Sequence, residues 1–341
     1  MTDLKSCLAN VIQGKSLTQT EAQEIMTQIM SGQVTHAQLA ALITGLKIKG
    51  ETVDEITGFA LAMREKATPV MTNQRFLVDT CGTGGDGSST FNISTATALV
   101  VAGAGLPVAK HGNRSVSSKC GSADVLEELG VNLAIDAVEA AKCVDEIGIG
   151  FLFAPLFHPA MKHAAAPRKE LGFRSIFNLL GPLTNPLGAK YQVVGVYDAN
   201  LTEVMAKVLH KLGIAKAFVV SGIDGLDEVS ITVPTKITRL EQGQFSTFFF
   251  EPDLVNMKTC KIDALKGDTP KENAKIILEI LGGEKGPRRD IVLINSAFSL
   301  MSCGKATDIV GGMEIAAEAI DSGKALKKLD LLIKFSRKEV A

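Results

Sequence analysis

A run rich in glycine and hydroxyl residues, from position 79 to position 95, constrains the fold of this chain more than any other stretch. The apolar residues 76–78 before it have the composition of a buried strand, and the run 93–103 after it has helical spacing. Glycine allows positive φ angles and lets a ligand approach the backbone closely. The glycines between strand and helix are Gly82, Gly84, Gly85 and Gly87. The stretch therefore predicts a strand that leads through an open loop to a helix start.

The loop and the helix start together indicate a binding site for a phosphate or pyrophosphate group. A helix N-terminus carries unpaired N–H donors and a partial positive charge, and nearby hydroxyls add further donors. The hydroxyl residues of this stretch are Thr83, Ser88, Ser89, Thr90, Ser94 and Thr95. A tight turn with a Ser or Thr cap would use the same residue types, so a purely structural turn is the alternative.

Two common nucleotide-binding patterns fit the loop poorly. The glycines match G-x-G-x-x-G, but a dinucleotide site also needs an acid about 20 residues later. No acidic residue occurs between Asp86 and Asp124. The Walker pattern fails because Ser88 follows the last glycine where a lysine is required.

A second glycine- and serine-rich loop follows a second short strand, and this loop carries cations. It places Lys110, His111, Asn113 and Arg114 directly after the strand. Two such loops in succession, one of them basic, favour an anion site over two ordinary turns. A surface lysine is the usual alternative for Lys110, but the apolar residues before it indicate a strand end.

Several motifs together resemble the signature of the anthranilate phosphoribosyltransferase family. They are Gly82-Thr-Gly-Gly-Asp86, Thr90-Phe-Asn-Ile-Ser-Thr95, Lys110-His-Gly-Asn-Arg114, Gly121-Ser-Ala-Asp124, the run from Arg174 to Asn185, and Gly225-Leu-Asp-Glu228. The similarity spans nearly the whole chain, in order and without large insertions. It implies a magnesium-dependent enzyme of tryptophan biosynthesis that transfers the phosphoribosyl group of 5-phosphoribosyl-1-pyrophosphate (PRPP) to anthranilate. A pyrimidine nucleoside phosphorylase of the same fold, or an inactive relative retained for binding, is the alternative.

The resemblance also implies which residues form the site. PRPP would be bound by Gly82, Thr83, Gly84, Gly85, Asp86, Thr90, Asn92, Ser94, Thr95, Lys110, Ser118 and Ser122. Anthranilate would be bound by Gly82, His111, Asn113, His158, Arg168 and Gly181. Mg²⁺ would be bound by Ser94, Asp227 and Glu228. No catalytic acid, base or nucleophile is assigned, because electrostatic stabilisation and positioning of the reactants would suffice.

Local sequence supports some of these roles and offers alternatives for others. Asp227 and Glu228 follow a strand after a short loop, where α/β sheets place ligands, and Mg²⁺ favours carboxylates together with substrate phosphates. A solvated acidic turn is the alternative for this pair. Arg168 offers a planar fork of donors to an aromatic carboxylate, although local sequence alone favours a surface arginine. Asp86 could fix the loop instead of contacting ribose, and Asn92 is expected to cap the helix in either case.

The order of helical and strand patterns predicts the fold class. Capping boxes begin at Thr18, Thr35 and Thr52, which predicts a small helical domain over residues 1–72. From 73 to 341, strands alternate with helices, which predicts an α/β catalytic domain with a mostly parallel sheet covered by helices.

Three later segments carry expectations of their own. The resemblance implies that residues 175–188 return to the helical domain. Residues 158–166 are expected to form a helix that ends at Pro167. Residues 229–251 are expected to form antiparallel strands, because Val229, Ile231 and Val233 alternate with other residues.

Composition bounds the surroundings and partners of the protein. The formal net charge of the 341-residue chain is −1, and no basic block points to nucleic acid or to an anionic membrane. No apolar run approaches the ~20 residues that span a bilayer, and the N-terminus lacks a signal-peptide pattern. Six scattered cysteines suggest reduced thiols and a cytoplasmic location. The resemblance implies a homodimer formed by the helical domain and leaves association with anthranilate synthase components possible.

Overall fold

The computed structural model describes residues 2–115 and 119–339, in which one seven-stranded sheet carries helices on both faces. The strands are β1 (Val78–Gly82), β2 (Val108–Gly112), β3 (Ile149–Phe153), β4 (Tyr191–Gly195), β5 (Lys216–Gly222), β6 (Thr235–Glu241) and β7 (Gln244–Phe250). Their order is β3-β2-β1-β4-β5-β6-β7, in which the first five strands pair in parallel, and the β5–β6 and β6–β7 pairs are antiparallel. The predicted fold class is thus confirmed, and the carboxyl ends of the parallel strands meet at one edge.

Four helices precede the sheet, and three of them begin at the predicted capping boxes. They are α1 (Leu4–Ile12), α2 (Gln19–Met30), α3 (His36–Lys49) and α4 (Val53–Glu65). The hydroxyls of Thr18, Thr35 and Thr52 each accept the backbone N–H three residues later. In each case the Glu or Gln at that later position accepts the N–H of the cap residue in return.

The remaining helices lie between the strands and after the last strand. They are α5 (Ile93–Gly103), α6 (Ser122–Glu128), α7 (Ala137–Ile147), α8 (Ala154–Phe157), α9 (Lys162–Leu171), α10 (Ile176–Leu180), α11 (Leu201–Lys211), α12 (Pro270–Leu281), α13 (Pro287–Ser302), α14 (Ile309–Asp321) and α15 (Lys324–Ser336). Across residues 2–115 and 119–339, none of these helices combines the length and apolar character that crossing a bilayer would take.

Each face of the sheet has its own apolar core, because side chains alternate between the faces of a strand. On one face, Val193 of β4 and Phe218 of β5 pack with α5, α7 and the four C-terminal helices. On the other face, Val194 and Val219 share a core with α1–α4, α10 and α11. The N-terminal helices are therefore joined to the sheet through a continuous core. The apolar residues of α10 pack against α3 and α4 in that core.

Two predictions about local structure are wrong in part. The helix α9 begins at Lys162, not at 158, and continues through Pro167 to Leu171, where Gly172 caps it with a φ of 66°. Proline removes one helical N–H donor, but good helix formers on both sides continue the helix beyond it.

The antiparallel strands predicted over residues 229–251 form as β6 and β7, but residues 229–233 pair with no strand in the described part of the chain. Instead, the carboxamide of Asn295 on α13 accepts the N–H of Val229 at 2.9 Å and donates to its carbonyl at 3.0 Å. The alternation of apolar residues in this segment therefore reflects docking on α13.

Gly195, at the carboxyl end of β4, provides a test of how tightly the sheet edge is packed. A Cβ at this position would lie 1.6 Å from the carbonyl oxygen of Asp227, and backbone atoms cannot turn away as a side chain could. We expect G195A to lower the free energy of unfolding by about 3 kcal/mol or more in urea denaturation. The matched control is G311A, whose Cβ would lie 3.5 Å from Asp308. It should not lower the free energy of unfolding, since alanine favours helices. Equal stability of the two variants would contradict this packing.

Candidate active site

A cavity of about 790 Å³ opens at the carboxyl ends of the parallel strands. Its walls are the glycine loop after β1, the basic loop after β2, the turn after β5, and residues of α9 and α10. The predicted residues that line it are Gly82, Thr83, Gly84, Gly85, Asp86, Thr90, Asn92, Ser94, Lys110, His111, Asn113, Ser122, His158, Arg168, Gly181, Asp227 and Glu228. The fold thus brings together residues from five separate parts of the sequence.

Of the predicted residues that the structure describes, all but Thr95 line this cavity. Thr95 is 1% exposed and faces a separate small void that Leu99 and Phe151 also line. It lies on the first turn of α5 but points behind the helix. Ser118 lies outside the described residues.

The glycine loop is held open by its backbone conformation and by one carboxylate. Gly84 and Gly85 adopt φ angles of 66° and 71°, which only glycine takes readily. The N–H of Gly84 donates to Oδ2 of Asp227 at 2.7 Å, so this loop amide already binds a carboxyl oxygen. The carboxylate of Asp86 accepts the N–H and the hydroxyl of Ser88. Asp86 therefore stabilises the loop, whatever else it contacts.

Lys110 is buried at the base of the cavity and is not a surface lysine. Its ammonium group donates to the carbonyl of Thr80 at 2.7 Å and to the hydroxyl of Ser94 at 3.2 Å, and the residue is 4% exposed. Burial lowers the pKa of Lys110, and the nearby Asp79 carboxylate opposes that shift. A buried cation is thereby held between the two loops.

Asp79 and Asn185 are functional candidates that sequence reasoning missed. Asp79 is fully buried in β1 and accepts the side-chain amide of Asn185 at 2.8 Å and the N–H of His111 at 3.3 Å. Burial raises the pKa of Asp79. An aspartate inside an apolar strand was the available signal, because a buried acid needs partners. The pair ties β1 to β2 and to the segment after α10.

The acidic pair after β5 fits a divalent cation. Burial and the charge of Asp86 raise the pKa of Asp227 to about 7, and burial and Asp227 raise the pKa of Glu228 well above its usual value. Within the described residues, no cluster of three or more His, Cys, Asp or Glu could hold a metal alone. Mg²⁺ typically takes one or two carboxylates and completes its shell with water and substrate phosphates, so two clustered carboxylates match its needs.

His111 and His158 face each other as neutral rings, with centroids 5.2 Å apart. Nδ1 of His111 donates to the carbonyl of Gly181 at 3.2 Å, and Nε2 of His158 donates to that of Thr184 at 3.0 Å. Burial lowers the pKa of His111 to about 3 and also lowers that of His158. Nε2 of His111 has no partner among the described residues, so it remains a buried acceptor on the cavity wall.

The low pKa of His111 predicts a pH-dependent stability. An unfolded histidine binds a proton below about pH 6.5, whereas the folded one does so only near pH 3. The unfolded state therefore binds more protons in this window, and stability should fall as pH drops below 6.5, by up to about 1.4 kcal/mol per pH unit. Urea unfolding between pH 7.5 and 4.5 should show a shallower fall for H111Q. Identical slopes for both proteins would contradict the assignment.

Two arginines stack on aromatic rings, one on the cavity wall and one beside the glycine loop. The guanidinium carbon of Arg168 lies 5.0 Å from the ring centroid of Phe177, so the fork of Arg168 is held on the cavity wall. Arg174, which had no predicted role, lies 4.7 Å from the ring centroid of Tyr197 and packs against Gly85. Its position within a family motif was the only sequence signal for it.

The expected capping role of Asn92 is wrong. Within the described residues its side chain makes no bond to the first-turn N–H groups of α5. Instead, Nδ2 donates to the carbonyl of Cys120 at 3.1 Å, and Oδ1 accepts from Nδ2 of Asn273 at 2.9 Å. The carboxamide therefore connects the two loops, because tertiary partners compete successfully with the local cap.

Two family models match this arrangement of fold and site. One, described as the helical bundle domain of a glycosyl transferase family, matches residues 5–67. The other, described as the a/b domain of a glycosyl transferase family, matches residues 74–326. Fold and site thus define a glycosyltransferase built from these two parts.

Individual relatives narrow the class further. Anthranilate phosphoribosyltransferase of Moorella thermoacetica is 54% identical over 330 residues, which cover 97% of each chain. The crystal structure of the Thermus thermophilus enzyme superposes with a TM-score of 0.92 at 41% identity, over 97% of this chain and 99% of that one. The structure of the Saccharomyces cerevisiae enzyme in complex with PRPP and Mg superposes with a TM-score of 0.90 at 28% identity, over 98% of each chain. The chain belongs to the anthranilate phosphoribosyltransferase family, which confirms the resemblance seen in the sequence.

Proposed function

We propose that this protein transfers the phosphoribosyl group of PRPP to anthranilate, with release of pyrophosphate, in tryptophan biosynthesis. One observation carries the proposal: an anion-binding loop, a buried lysine and a pair of acids converge on one cavity. Membership of the family supports it, because relatives of that name match over nearly the full length of the chain.

At the PRPP end, backbone and cation contacts would hold the phosphates. The N–H of Gly84, which now binds the carboxylate of Asp227, would be available to a pyrophosphate oxygen. Lys110 adds a fixed positive charge between the two loops. Asp227 and Glu228, with Ser94, would hold Mg²⁺, which when bound neutralises the charge of the departing pyrophosphate. The yeast relative in complex with PRPP and Mg supports this assignment.

At the acceptor end, the residues would orient anthranilate and leave its amine free to react. Arg168 would bind the carboxylate of anthranilate, with Asn113, His158, Gly181 and Gly82 completing the wall. The free Nε2 of His111 would accept a hydrogen bond from the amine. An aromatic amine is unprotonated near neutral pH, so a weak acceptor suffices. The new C–N bond forms at ribose C1 as its bond to pyrophosphate breaks, and the nitrogen then loses one proton to the surrounding solvent.

A coupled assay tests the proposal directly. Purified protein, magnesium, PRPP and anthranilate should show loss of anthranilate fluorescence and release of one pyrophosphate per anthranilate consumed. Parallel reactions with inorganic phosphate and uridine or thymidine test the nucleoside phosphorylase alternative. Phosphorolysis without anthranilate consumption would favour that alternative, and no turnover in either assay would favour an inactive binding relative.

We also propose a cytoplasmic homodimer that associates through the N-terminal helices. Ile12 at the end of α1 and Ile48 near the end of α3 are 73% and 82% exposed, and burying such side chains favours association. Light scattering should give twice the mass of the chain. Association with anthranilate synthase components is a further part of this proposal, and co-sedimentation with those proteins would test it.

A further inference from the structure

Residues 265–273 cross the cavity loops from outside and are called the strap below. The strap runs from the end of a short 3-10 turn into the first residues of α12. Its backbone pairs with the end of the glycine loop through an antiparallel bridge between Thr90 and Lys266. On either side of this bridge, the N–H of Phe91 donates to the carbonyl of Leu265 at 3.0 Å, and the N–H of Gly267 donates to the carbonyl of Ser89 at 3.0 Å. The strap thus pairs with the end of that loop much as a short strand would.

The strap also reaches the second loop. Asp268 forms an ion pair with Lys119, which precedes Cys120. The strap is packed tightly at its centre, because a Cβ on Gly267 would lie 2.2 Å from Oδ1 of Asn273 and 2.7 Å from Cα of Phe91. One segment therefore touches both loops that form the predicted PRPP site.

Three amides form a directed chain of hydrogen bonds from the strap to the second loop. The backbone N–H of Asp268 donates to Oδ1 of Asn273 at 2.9 Å. Nδ2 of Asn273 donates to Oδ1 of Asn92 at 2.9 Å, and Nδ2 of Asn92 donates to the carbonyl of Cys120 at 3.1 Å. The chain begins at a backbone donor and ends at a backbone acceptor, so both carboxamides must point the way they do.

This chain determines what Asn92 presents to the cavity. An amide nitrogen carries two hydrogens, and the carbonyl of Cys120 takes one of them. Since Oδ1 of Asn92 is turned towards Asn273, the second hydrogen remains for a ligand in the cavity that Asn92 lines. Asn273 itself is 1% exposed and lies behind Asn92, outside the described lining of the cavity.

We propose that Asn273 is a positioning residue for PRPP, which acts through Asn92 and touches no substrate. It orients the amide of Asn92 towards the phosphate groups and couples the glycine loop to the second loop. The inference rests on the proposed function, because it names how the same site recognises the same substrate. The thiol of Cys120, a weak donor, also donates to Oδ1 of Asn92 at 3.3 Å. Without Asn273 this weak contact alone would hold the oxygen, and the carboxamide of Asn92 could rotate and turn its oxygen towards an anion.

The variant N273D tests this role because it keeps the shape of the side chain and replaces its donor by an oxygen. We expect the KM for PRPP to rise about tenfold, which matches the loss of one hydrogen bond to a charged ligand, while the KM for anthranilate changes less than twofold. The control is N132D, which removes a comparable bond, from Asn132 to the carbonyl of Ser336 at 3.1 Å, away from the cavity. It should lower the melting temperature and leave both KM values unchanged.

A double-mutant cycle separates positioning through Asn92 from a general structural role. In an N92A background, N273S should raise the KM for PRPP by less than twofold, since the Asn92 amide through which Asn273 acts is already absent. In the wild-type background, N273S should raise the KM for PRPP about as much as N273D does. N273S therefore tests the role of Asn273 even if N273D fails to fold. An unchanged KM for PRPP in folded N273D, or equal effects of N273S in both backgrounds, would overturn the inference. Failure of the wild type to use PRPP would instead overturn the proposed function.

Discussion

The double variant D227N/E228Q should lose about a thousandfold in turnover while its ligand-free form becomes harder to unfold. Loss of activity follows because the two carboxylates would hold the ion that stabilises the departing pyrophosphate, a contribution of several kcal/mol. Gain of stability follows because burial, and then the mutual repulsion of Asp227, Glu228 and Asp86, disfavours the charged carboxylates and raises the pKa values of the first two. Replacing these two acids by amides should raise the free energy of unfolding by about 1–2 kcal/mol near neutral pH, because the unfolded state ionises them more readily than the folded state does.

Two measurements together test this prediction. Turnover should be followed across a magnesium titration, and unfolding should be followed in urea without ligand. The control E251Q removes an exposed acid after β7 and should leave both quantities unchanged. Full turnover in the double variant would show that the two acids are not needed for the reaction. A loss of stability would show that they stabilise the ligand-free fold.

The second large effect is expected at Lys110. The variant K110M keeps the length of the side chain but removes the buried cation, which leaves Asp79 and Glu228 without it. We expect the free energy of unfolding to fall by about 3 kcal/mol, because the two hydrogen bonds of Lys110 are lost and the nearby buried acids lose their compensating cation. The value of kcat/KM for PRPP should fall at least a hundredfold. This is the effect expected when a charged contact to phosphate is lost and Ser94 is displaced as well.

A coupling measurement distinguishes charge balance from packing in K110M. If the destabilisation comes from uncompensated acids, the double variant K110M/E228Q should recover part of the lost stability. The exposed K142M on α7 is the matched control and should change stability by no more than about 0.5 kcal/mol. A double variant less stable than K110M alone would show that methionine fails at this position for steric reasons.

Short-range rules were enough to predict many of the elements. The bonds between Thr18 and Glu21, or between Thr52 and Glu55, form within one turn of helix and need no other part of the chain. The glycine loop could be predicted equally well, because glycine is the residue type that readily adopts the positive φ angles found at Gly84 and Gly85.

Long-range partners decided the cases where sequence reasoning failed. Asn92 has the right type and position for a helix cap, yet its amide bonds to Cys120 and Asn273, which are far away in sequence. Val229 alternates like a strand residue, but the side chain of Asn295 takes both of its backbone groups. Thr95 lies one residue from Ser94, and the helical rotation between them turns it behind α5.

The amino-acid sequence by itself determined the elements, the two loops and the family, because propensity, capping and glycine geometry act over a few residues. Only the tertiary structure decided that an acid after β5 meets an amide after β1, at 2.7 Å across 143 positions of sequence. It also decided which nitrogen of His111 is free, since the carbonyl of Gly181 binds the other. Such facts depend on the register of parallel strands whose ends meet at one edge, and no local pattern encodes a distance between two loops.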